Sequence, residues 1–376
     1  MTITKSGLAI GLVACALTAC DGGDAKKKDA AASATAAADG AQPKSRLTQA
    51  IASAAANDKP GAGATAGEGP PPAGVFGPGE ADLAHGPLAP PKVTLLGAGA
   101  EPRVTFASRL EGEGPHTIVV VSSKSTPGKP GPPMEFTVEL QFPKDRDAKV
   151  LVPATEPMPT SAPTALPEHV ATGPRPIVFK VRKVGIAIDG ALPKDVLKEI
   201  EKLVGTKISA TLTDAGSLTE PKIDIPADGR ALAAMAEALY EALDLFFSPM
   251  PREPIGVGAS WMASDRARQS GVPVVRYRVT TLAKLEAGQA HLSVDVRQYA
   301  ADATTVPKGA PDGAQNMAFE SFGKATYARS PSSLTPTAGE LGVPVALQLA
   351  NPSAPGRAGI LKTELTAQVT LAGAKK

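Results

Sequence analysis

This sequence of 376 residues is poor in the side chains from which many catalytic and metal-binding sites are built. It holds two Cys and four His, only 4% of its residues are aromatic, and 39 basic side chains nearly balance 37 acidic ones. Two Cys exclude a disulfide framework, and four scattered His exclude a His-rich metal site. A net charge of +2, without a basic block that has aromatic residues interleaved, argues against nucleic-acid binding. No apolar run reaches the roughly 18 residues that a membrane-spanning helix needs.

The known catalytic and cofactor-binding motifs are also missing. The sequence has no G-x-S-x-G element, no Walker loop, no H-E-x-x-H pair, no G-x-G-x-x-G turn and no EF-hand spacing. A lone His in a loop or strand is more often solvated or hydrogen-bonded than catalytic, and each of the four His stands far from the others. We therefore predict no catalytic residue, no metal site and no cofactor, and we rank an enzyme last among the possible functions.

The first twenty residues carry the strongest signal. Lys5 precedes the small, apolar stretch Gly7–Leu17, which is too short to span a bilayer and has the layout of a secretory signal peptide. The stretch ends in Leu17-Thr18-Ala19-Cys20, which resembles the lipobox of bacterial lipoproteins. This resemblance implies cleavage before Cys20, acyl chains such as palmitate on its thiol, and a lipid-anchored location in the bacterial cell envelope. Asp21 resembles an inner-membrane retention signal, although the choice between inner and outer membrane stays open.

Composition divides the chain into three parts. Residues 1–19 form the predicted signal peptide, and residues 20–91 form the lipidated Cys and a disordered linker rich in Ala, Gly and Pro. Runs such as Ala30–Ala38 and Gly61–Pro72 cannot bury enough apolar surface to offset the entropy of ordering. A linker of this composition has a mean reach of about 45–50 Å. Residues 92–376 are predicted to form a single globular α+β domain.

The domain is predicted to be a large, mostly antiparallel sheet of about ten strands, with two amphipathic helices packed on it. Runs of strands before and after the helices favour α+β over βαβ units. A phase slip in the strand over 177–188 predicts a β-bulge near Arg182-Lys183. Hairpins are expected within 103–122 and 274–299, and the latter should set Val275, Tyr277 and Val279 against the apolar residues of its partner strand. The predicted strands are 93–96, 103–110, 117–122, 135–142, 177–188, 274–285, 290–299, 316–327, 343–349 and 360–371.

The two helices are predicted over Pro193–Val204 and Gly229–Phe247. The longer one carries a wide apolar arc, typical of a helix that lies on a sheet. Its acidic residues Glu237, Glu241 and Asp244 are expected to face solvent, away from that arc.

The segment after the long helix gives a second resemblance. Residues 251–261 contain Pro251, Pro254, Gly256, Gly258 and Trp261 at the spacing of a P-x-x-P-V-G-x-G-x-x-W element, with Ile255 in place of the Val. The segment resembles part of an uncharacterised bacterial family of secreted proteins and lipoproteins, over about 130 residues from Phe246 onward. The resemblance implies no activity.

Three functions from different classes follow from these observations. The first is a membrane-anchored envelope lipoprotein with a non-enzymatic binding or structural role and an unknown protein partner. The second is a carrier or chaperone of hydrophobic ligands or lipids, of the half-barrel type, with Leu239, Leu243 and Phe246 as ligand contacts. An enzyme is the third. An unfilled cavity between the long helix and the sheet would favour the carrier, whereas a well-packed interface would favour the first function.

Overall fold

Alternating apolar and polar side chains fold into one antiparallel sheet, which has twelve strands in the part of the chain that the structure describes. The structure is a computed structural model. It describes residues 71, 73–106, 116–126, 133–142, 174–187, 193–213, 215–307, 310, 312–331, 333, 335–350 and 359–371. The predicted signal peptide, Cys20 and most of the predicted linker lie outside these residues.

The described part of the chain contains three α-helices, one 3-10 turn and twelve strands. Lateral order in the sheet is β1-β7-β8-β9-β10-β11-β12-β2-β3-β4-β5-β6. The helices are α1 (Glu80–Ala84), α2 (Lys194–Glu201) and α3 (Ala233–Phe246), the last preceded by a 3-10 turn at Ala227–Leu232. The strands are β1 (Lys92–Gly97), β2 (His116–Thr126), β3 (Met134–Gln141), β4 (Arg175–Ile186), β5 (Lys207–Leu212), β6 (Leu218–Asp224), β7 (Ser260–Gln269), β8 (Val272–Glu286), β9 (Gln289–Ala300), β10 (Gln315–Arg329), β11 (Ala338–Ala350) and β12 (Gly359–Leu371).

The sheet is built from two series of consecutive strands. In the first series, β2 to β6, each strand pairs with the next strand of the chain. The same holds in the second series, β7 to β12. The two series meet where β12 pairs with β2, from Lys362 opposite Thr126 to Leu371 opposite Thr117. The prediction of a large antiparallel sheet is therefore confirmed, with two more strands than expected.

The predicted bulge in β4 is present. Thr137 of β3 lies opposite Lys183, but the next residue, Val138, lies opposite Val181, so that Arg182 is the extra residue. Val181 and Val184 are both buried on the same face as a result. The phase slip in the apolar pattern thus located the bulge correctly.

One predicted hairpin is absent, and three strands are present that were not predicted. Strand β2 has β12 and β3 as its neighbours, so it forms no hairpin with residues 103–110. Val104 instead makes an isolated bridge to Ile255, and residues 107–115 lie outside the described part of the chain. Strands β5, β6 and β7 were not among the ten predicted strands, and β5 and β6 are short, with Pro221 inside β6.

Helix α3 lies inside the curve of the sheet. It contacts β2, β6, β10, β11 and β12, while Trp261 of β7 donates a hydrogen bond through Nε1 to the carbonyl oxygen of Pro249, just beyond the helix, at 2.8 Å. Ten strand spacings separate β7 from β6, about 48 Å if the sheet were flat. A helix of 14 residues is only about 21 Å long. Strands so far apart can reach the same helix only if the sheet bends around α3.

Enclosure of α3 corrects the prediction that its acidic side faces water. Every residue from Leu239 to Phe246 is buried, including Glu241 and Asp244. A helix surrounded by a curved sheet has no solvent-facing side over its second half, so an apolar arc does not describe that half of α3. Among the described residues, no helix combines the length and the apolar character needed to cross a membrane.

The folded part begins earlier than residue 92. Residues 73–76 lie between the ends of β9 and β10, where Ala300 N–H donates to Gly74 O, Phe76 N–H donates to Ala300 O, and Phe319 N–H donates to Ala73 O. Phe76 packs edge-on against Tyr299 with ring centroids 6.0 Å apart. Residues 73–81, which belong to the predicted linker, therefore contact the sheet, where Phe76 and Ala81 pack with Val275 and Tyr299.

Replacement of Gly74 tests this docking. Gly74 has a φ of 73°, and a Cβ there would overlap the carbonyl oxygen of Phe319. Gly79 has a similar φ of 76° but open space around it, which makes it the matched control. A left-handed φ alone costs an L-residue about 1–2 kcal/mol. We expect Gly74→Ala to lower the free energy of unfolding, measured by chemical denaturation, by clearly more than Gly79→Ala does. Equal losses would show that the segment is not docked as described.

Candidate functional site

Four charged side chains meet in the interior between α3 and the first strands of the second series. Asp265 of β7 accepts hydrogen bonds from Arg276 Nε at 3.0 Å and Nη2 at 2.7 Å, and from Arg278 Nη2 at 2.6 Å. Asp244 of α3 forms an ion pair with Arg276, with 2.8 Å between Asp244 Oδ2 and Arg276 Nη1. All four side chains are almost wholly buried. We call Asp244, Asp265, Arg276 and Arg278 the ion cluster.

Strand register assembles the ion cluster. Asp265 lies directly opposite Arg276, and Arg278 follows two residues later on the same face of β8. The arginines also hold the end of the helix, because Arg278 Nη1 donates to the carbonyl oxygens of Asp244 at 3.3 Å and Phe247 at 3.4 Å. The ion cluster therefore joins the sheet to the C-terminal half of α3.

Two positive and two negative groups balance the charge of the ion cluster. Burial on its own would raise the pKa of Asp265, but Arg276 and Arg278 outweigh it and hold that pKa below its ordinary value. The pKa of Asp244 is raised, because burial outweighs the attraction of Arg276. Burial lowers the pKa of Arg278, with the neighbouring Arg276 acting in the same direction. Asp265 is thus the carboxylate whose charge anchors both arginines.

A row of polar groups continues from the ion cluster along the interior. Glu241 of α3 accepts hydrogen bonds from the Ser270 N–H at 2.8 Å and from Gln269 Nε2 at 3.2 Å. Gln298 joins Gln269 to Ser321 through two further hydrogen bonds. Burial raises the pKa of Glu241 to about 8, although the N–H groups of Ser270 and Gly271 oppose the shift.

The residues predicted to contact a hydrophobic ligand are close together but leave little room. Leu239, Leu243 and Phe246 are all buried in the main core. Leu243 and Phe246 line an apolar gap together with Phe179 of β4 and Phe247, whose rings meet edge-on at 5.4 Å between centroids. The gap has a volume of about 10 Å³, the space of about one water molecule. It is far smaller than an acyl chain needs.

The outer face of the sheet has more space. A groove of about 650 Å³ crosses β10, β11, β12 and β2. A Cβ on Gly342, which lies on β11 in the groove, would meet no atom within 4 Å. Apolar residues such as Val120, Pro133 and Ala187 line part of the groove. Six further residues bring hydroxyl, amide or charged groups to it, namely Ser122, Lys324, Thr326, Glu340, Thr366 and Gln368.

The ion cluster was missed by the sequence analysis for a structural reason. We expected Val275, Tyr277 and Val279 to lie against Leu292, Val294 and Val296, which is wrong, because these residues of β9 lie opposite Leu282, Thr280 and Arg278. The interior face of β8 carries Arg276 and Arg278. Val275 and Tyr277 point outward, where they pack with Phe76 and Tyr299 under residues 73–91. The signal that could have revealed the cluster is the pair of arginines two residues apart in an otherwise apolar strand.

No group of three His, Cys, Asp or Glu that could hold a metal ion occurs among the described residues. Most polar atoms of the ion cluster already have partners within the chain. The arrangement is therefore suited to holding α3 in place and presents no open side chain to a substrate.

Comparisons with known proteins do not assign this chain to a family. No protein-family model matches the chain, and no curated protein matches it. One solved structure that matches in part describes lipid–protein interactions in lipovitellin, with a TM-score of 0.41 and 12% sequence identity over 71% of this chain. The chain spans only 25% of the length of that protein. A likeness at this level says nothing of what this chain binds.

The raised pKa of Glu241 predicts a pH dependence of stability. A carboxyl group whose pKa rises from 4.5 to about 8 on folding is protonated in the folded state at neutral pH. Its contribution is complete below pH 4.5 and is lost as the pH rises toward 8, by at most about 1.4 kcal/mol per pH unit. Glu241→Gln should remove this loss, so that the free energy of unfolding falls less between pH 5 and pH 8 than in the wild type.

Glu237→Gln is the matched control, since Glu237 lies one turn earlier on α3 and is exposed. This variant should keep most of the wild-type pH dependence, because burial raises the pKa of Glu241 more than the charge of Glu237 does. Parallel curves for Glu241→Gln and the wild type would contradict a raised pKa for Glu241.

Proposed function

We propose that this chain is a lipid-anchored protein of the bacterial cell envelope with a non-enzymatic binding role. The anchor is supported by Leu17-Thr18-Ala19-Cys20 and by the apolar stretch before it. Two acyl chains are enough for stable attachment, at about 0.8 kcal/mol for each buried methylene. Asp21 favours the inner membrane.

The filled interior is the observation that favours a binding role over a carrier role. A carrier needs a cavity that admits an acyl chain, whereas the gap beside Leu243 and Phe246 holds about 10 Å³. The ion cluster also binds α3 to β7 and β8, which keeps the helix seated inside the sheet. We place partner binding on the outer face, where the groove across β10, β11, β12 and β2 offers hydrogen-bonding side chains to a solvent-exposed partner.

The anchor is tested by metabolic labelling. Cells that express the wild-type chain with a radioactive fatty acid should yield a labelled protein in the membrane fraction. Cys20→Ser removes the thiol that forms the thioether, so the label should disappear. Cys15→Ser is the matched control, because Cys15 lies within the predicted signal peptide and should be dispensable. Label retained by Cys20→Ser would refute the lipoprotein assignment.

The choice between binding role and carrier role is tested at Leu243, which is 3% exposed. If the interior is a packed core, Leu243→Glu buries an unpaired carboxylate, costs several kcal/mol and unfolds the domain. Leu243→Met conserves volume and should cost less than about 1.5 kcal/mol. Thermal unfolding of both variants is the measurement.

Mass spectrometry of the purified wild-type chain completes this test. A filled interior predicts no lipid other than the acyl chains on Cys20. A folded Leu243→Glu variant, together with co-purifying lipid that this variant loses, would instead establish the carrier.

A further inference from the structure

Three arginines are buried among the described residues, and one of them lacks an acidic partner. Arg276 and Arg278 belong to the ion cluster, where Asp244 and Asp265 balance their charge. Arg329, the last residue of β10, is 2% exposed, and none of the described carboxylates forms an ion pair with it. An arginine keeps its positive charge inside a protein. Arg329 is therefore a buried charge without a counter-charge, which is unfavourable.

Arg329 contacts an aromatic ring instead of an acid. Successive residues of a strand point to opposite faces, so Arg329 lies on the same face as Tyr327, which is also buried. The guanidinium group lies over the ring of Phe106, 5.5 Å from its centroid. Its Nε has no hydrogen-bond partner in the part of the chain that the structure describes. An aromatic ring attracts a cation but does not neutralise its charge.

Tyr327 does not supply the missing charge. Burial lowers the pKa of Arg329, and the described titratable group that opposes this shift is the hydroxyl of Tyr327. Burial also raises the pKa of Tyr327 above its ordinary value, so this hydroxyl stays neutral at physiological pH. A neutral hydroxyl can take part in a hydrogen bond, but it leaves the charge of Arg329 unbalanced.

The surroundings of Arg329 limit the size of an anion that could balance it. Phe106 is only partly buried, so the guanidinium group beside its ring lies close to the surface. Because Arg329 is itself 2% exposed, it offers no area to the surface of a protein partner. On the inner side, the ring of Tyr327 meets that of Phe246, and the apolar gap there holds about 10 Å³, which excludes an acyl chain. The anion must therefore be small.

We propose that Arg329 binds the carboxylate group of a small organic acid at the end of β10. A guanidinium group matches a carboxylate through two parallel N–H···O hydrogen bonds. One carboxylate balances one guanidinium group, whereas a phosphate monoester, with a charge of about −1.5 to −2 at pH 7, would leave negative charge in excess. This site is separate from the groove on the outer face, so it adds a small-molecule site to the proposed binding role.

Acetate is the probe for this site, and unfolding of the purified chain in urea is the measurement. A ligand that binds only the folded state lowers the equilibrium constant of unfolding as its concentration rises. We expect this constant to fall about tenfold in the wild type when acetate replaces chloride up to about 100 mM at constant ionic strength. Chloride lacks the two oxygen atoms of the paired contact, so the difference reports the carboxylate. Inorganic phosphate at the same ionic strength should cause a smaller fall.

Substitutions of Arg329 separate a specific site from a general salt effect. Arg329→Met should abolish the response to acetate, and without acetate it should be at least as stable as the wild type, because no ion pair is broken. Arg329→Lys keeps the charge without the two parallel donors and should respond less than the wild type. Arg297→Met is the matched control, since Arg297 also lies over a ring, that of Phe322, but is only partly buried. This variant should respond as the wild type does.

Three results would overturn the proposal. The first is an equal response to acetate in the wild type and Arg329→Met, including no response in either. The second is a marked loss of stability in Arg329→Met without acetate that Glu111→Gln or Glu113→Gln reproduces. Both glutamates lie outside the described residues, and this result would show that the chain itself supplies the counter-charge. The third is a larger response to phosphate than to acetate, which would contradict a carboxylate ligand.

Discussion

The bidentate pair between Asp265 and Arg276 is the contact on which the interior depends. Each member of this pair also binds a second charged group. Arg276 forms an ion pair with Asp244 on α3, and Asp265 forms one with Arg278. With α3 seated, the buried charges sum to zero. Without the helix, two guanidinium groups would face one carboxylate in an apolar interior, which is costly. The buried charges of β7 and β8 are therefore balanced only when α3 is in its place.

Charge inside a core is a poor way to gain stability, because desolvation offsets much of the attraction between the groups. In this interior Asp244 Oδ1 and Arg278 Nε have no hydrogen-bond partner among the described residues. What the ion cluster does supply is direction, since guanidinium and carboxylate groups meet well in few geometries. An apolar helix in an apolar trough could slide or rotate, whereas α3 must set Asp244 on Arg276 and Glu241 on the turn after β7.

Local patterns in the sequence predicted local structure well. The phase slip over 177–188 located the bulge at Arg182, and the hairpin of β8 and β9 lies where alternation placed it. What failed depended on distant residues. Val275 and Tyr277 were set against the apolar residues of β9 because nothing in their strand shows that Phe76 packs on them from the outer face. For the same reason Asp244 and Glu241 were read as solvent-exposed, and the groove on the outer face left no trace in the sequence.

The junction of the two series of strands has a consequence for how the chain matures. Within each series, a strand can pair with the previous one as soon as it has been synthesised. Strand β2 can pair with its second neighbour only after β12 has been synthesised. Until Leu371 is available to Thr117, the first series keeps an open edge that could pair with another molecule. Contacts of such long sequence separation also form slowly. The edge of β2 is therefore exposed until the last strand of the chain has been made.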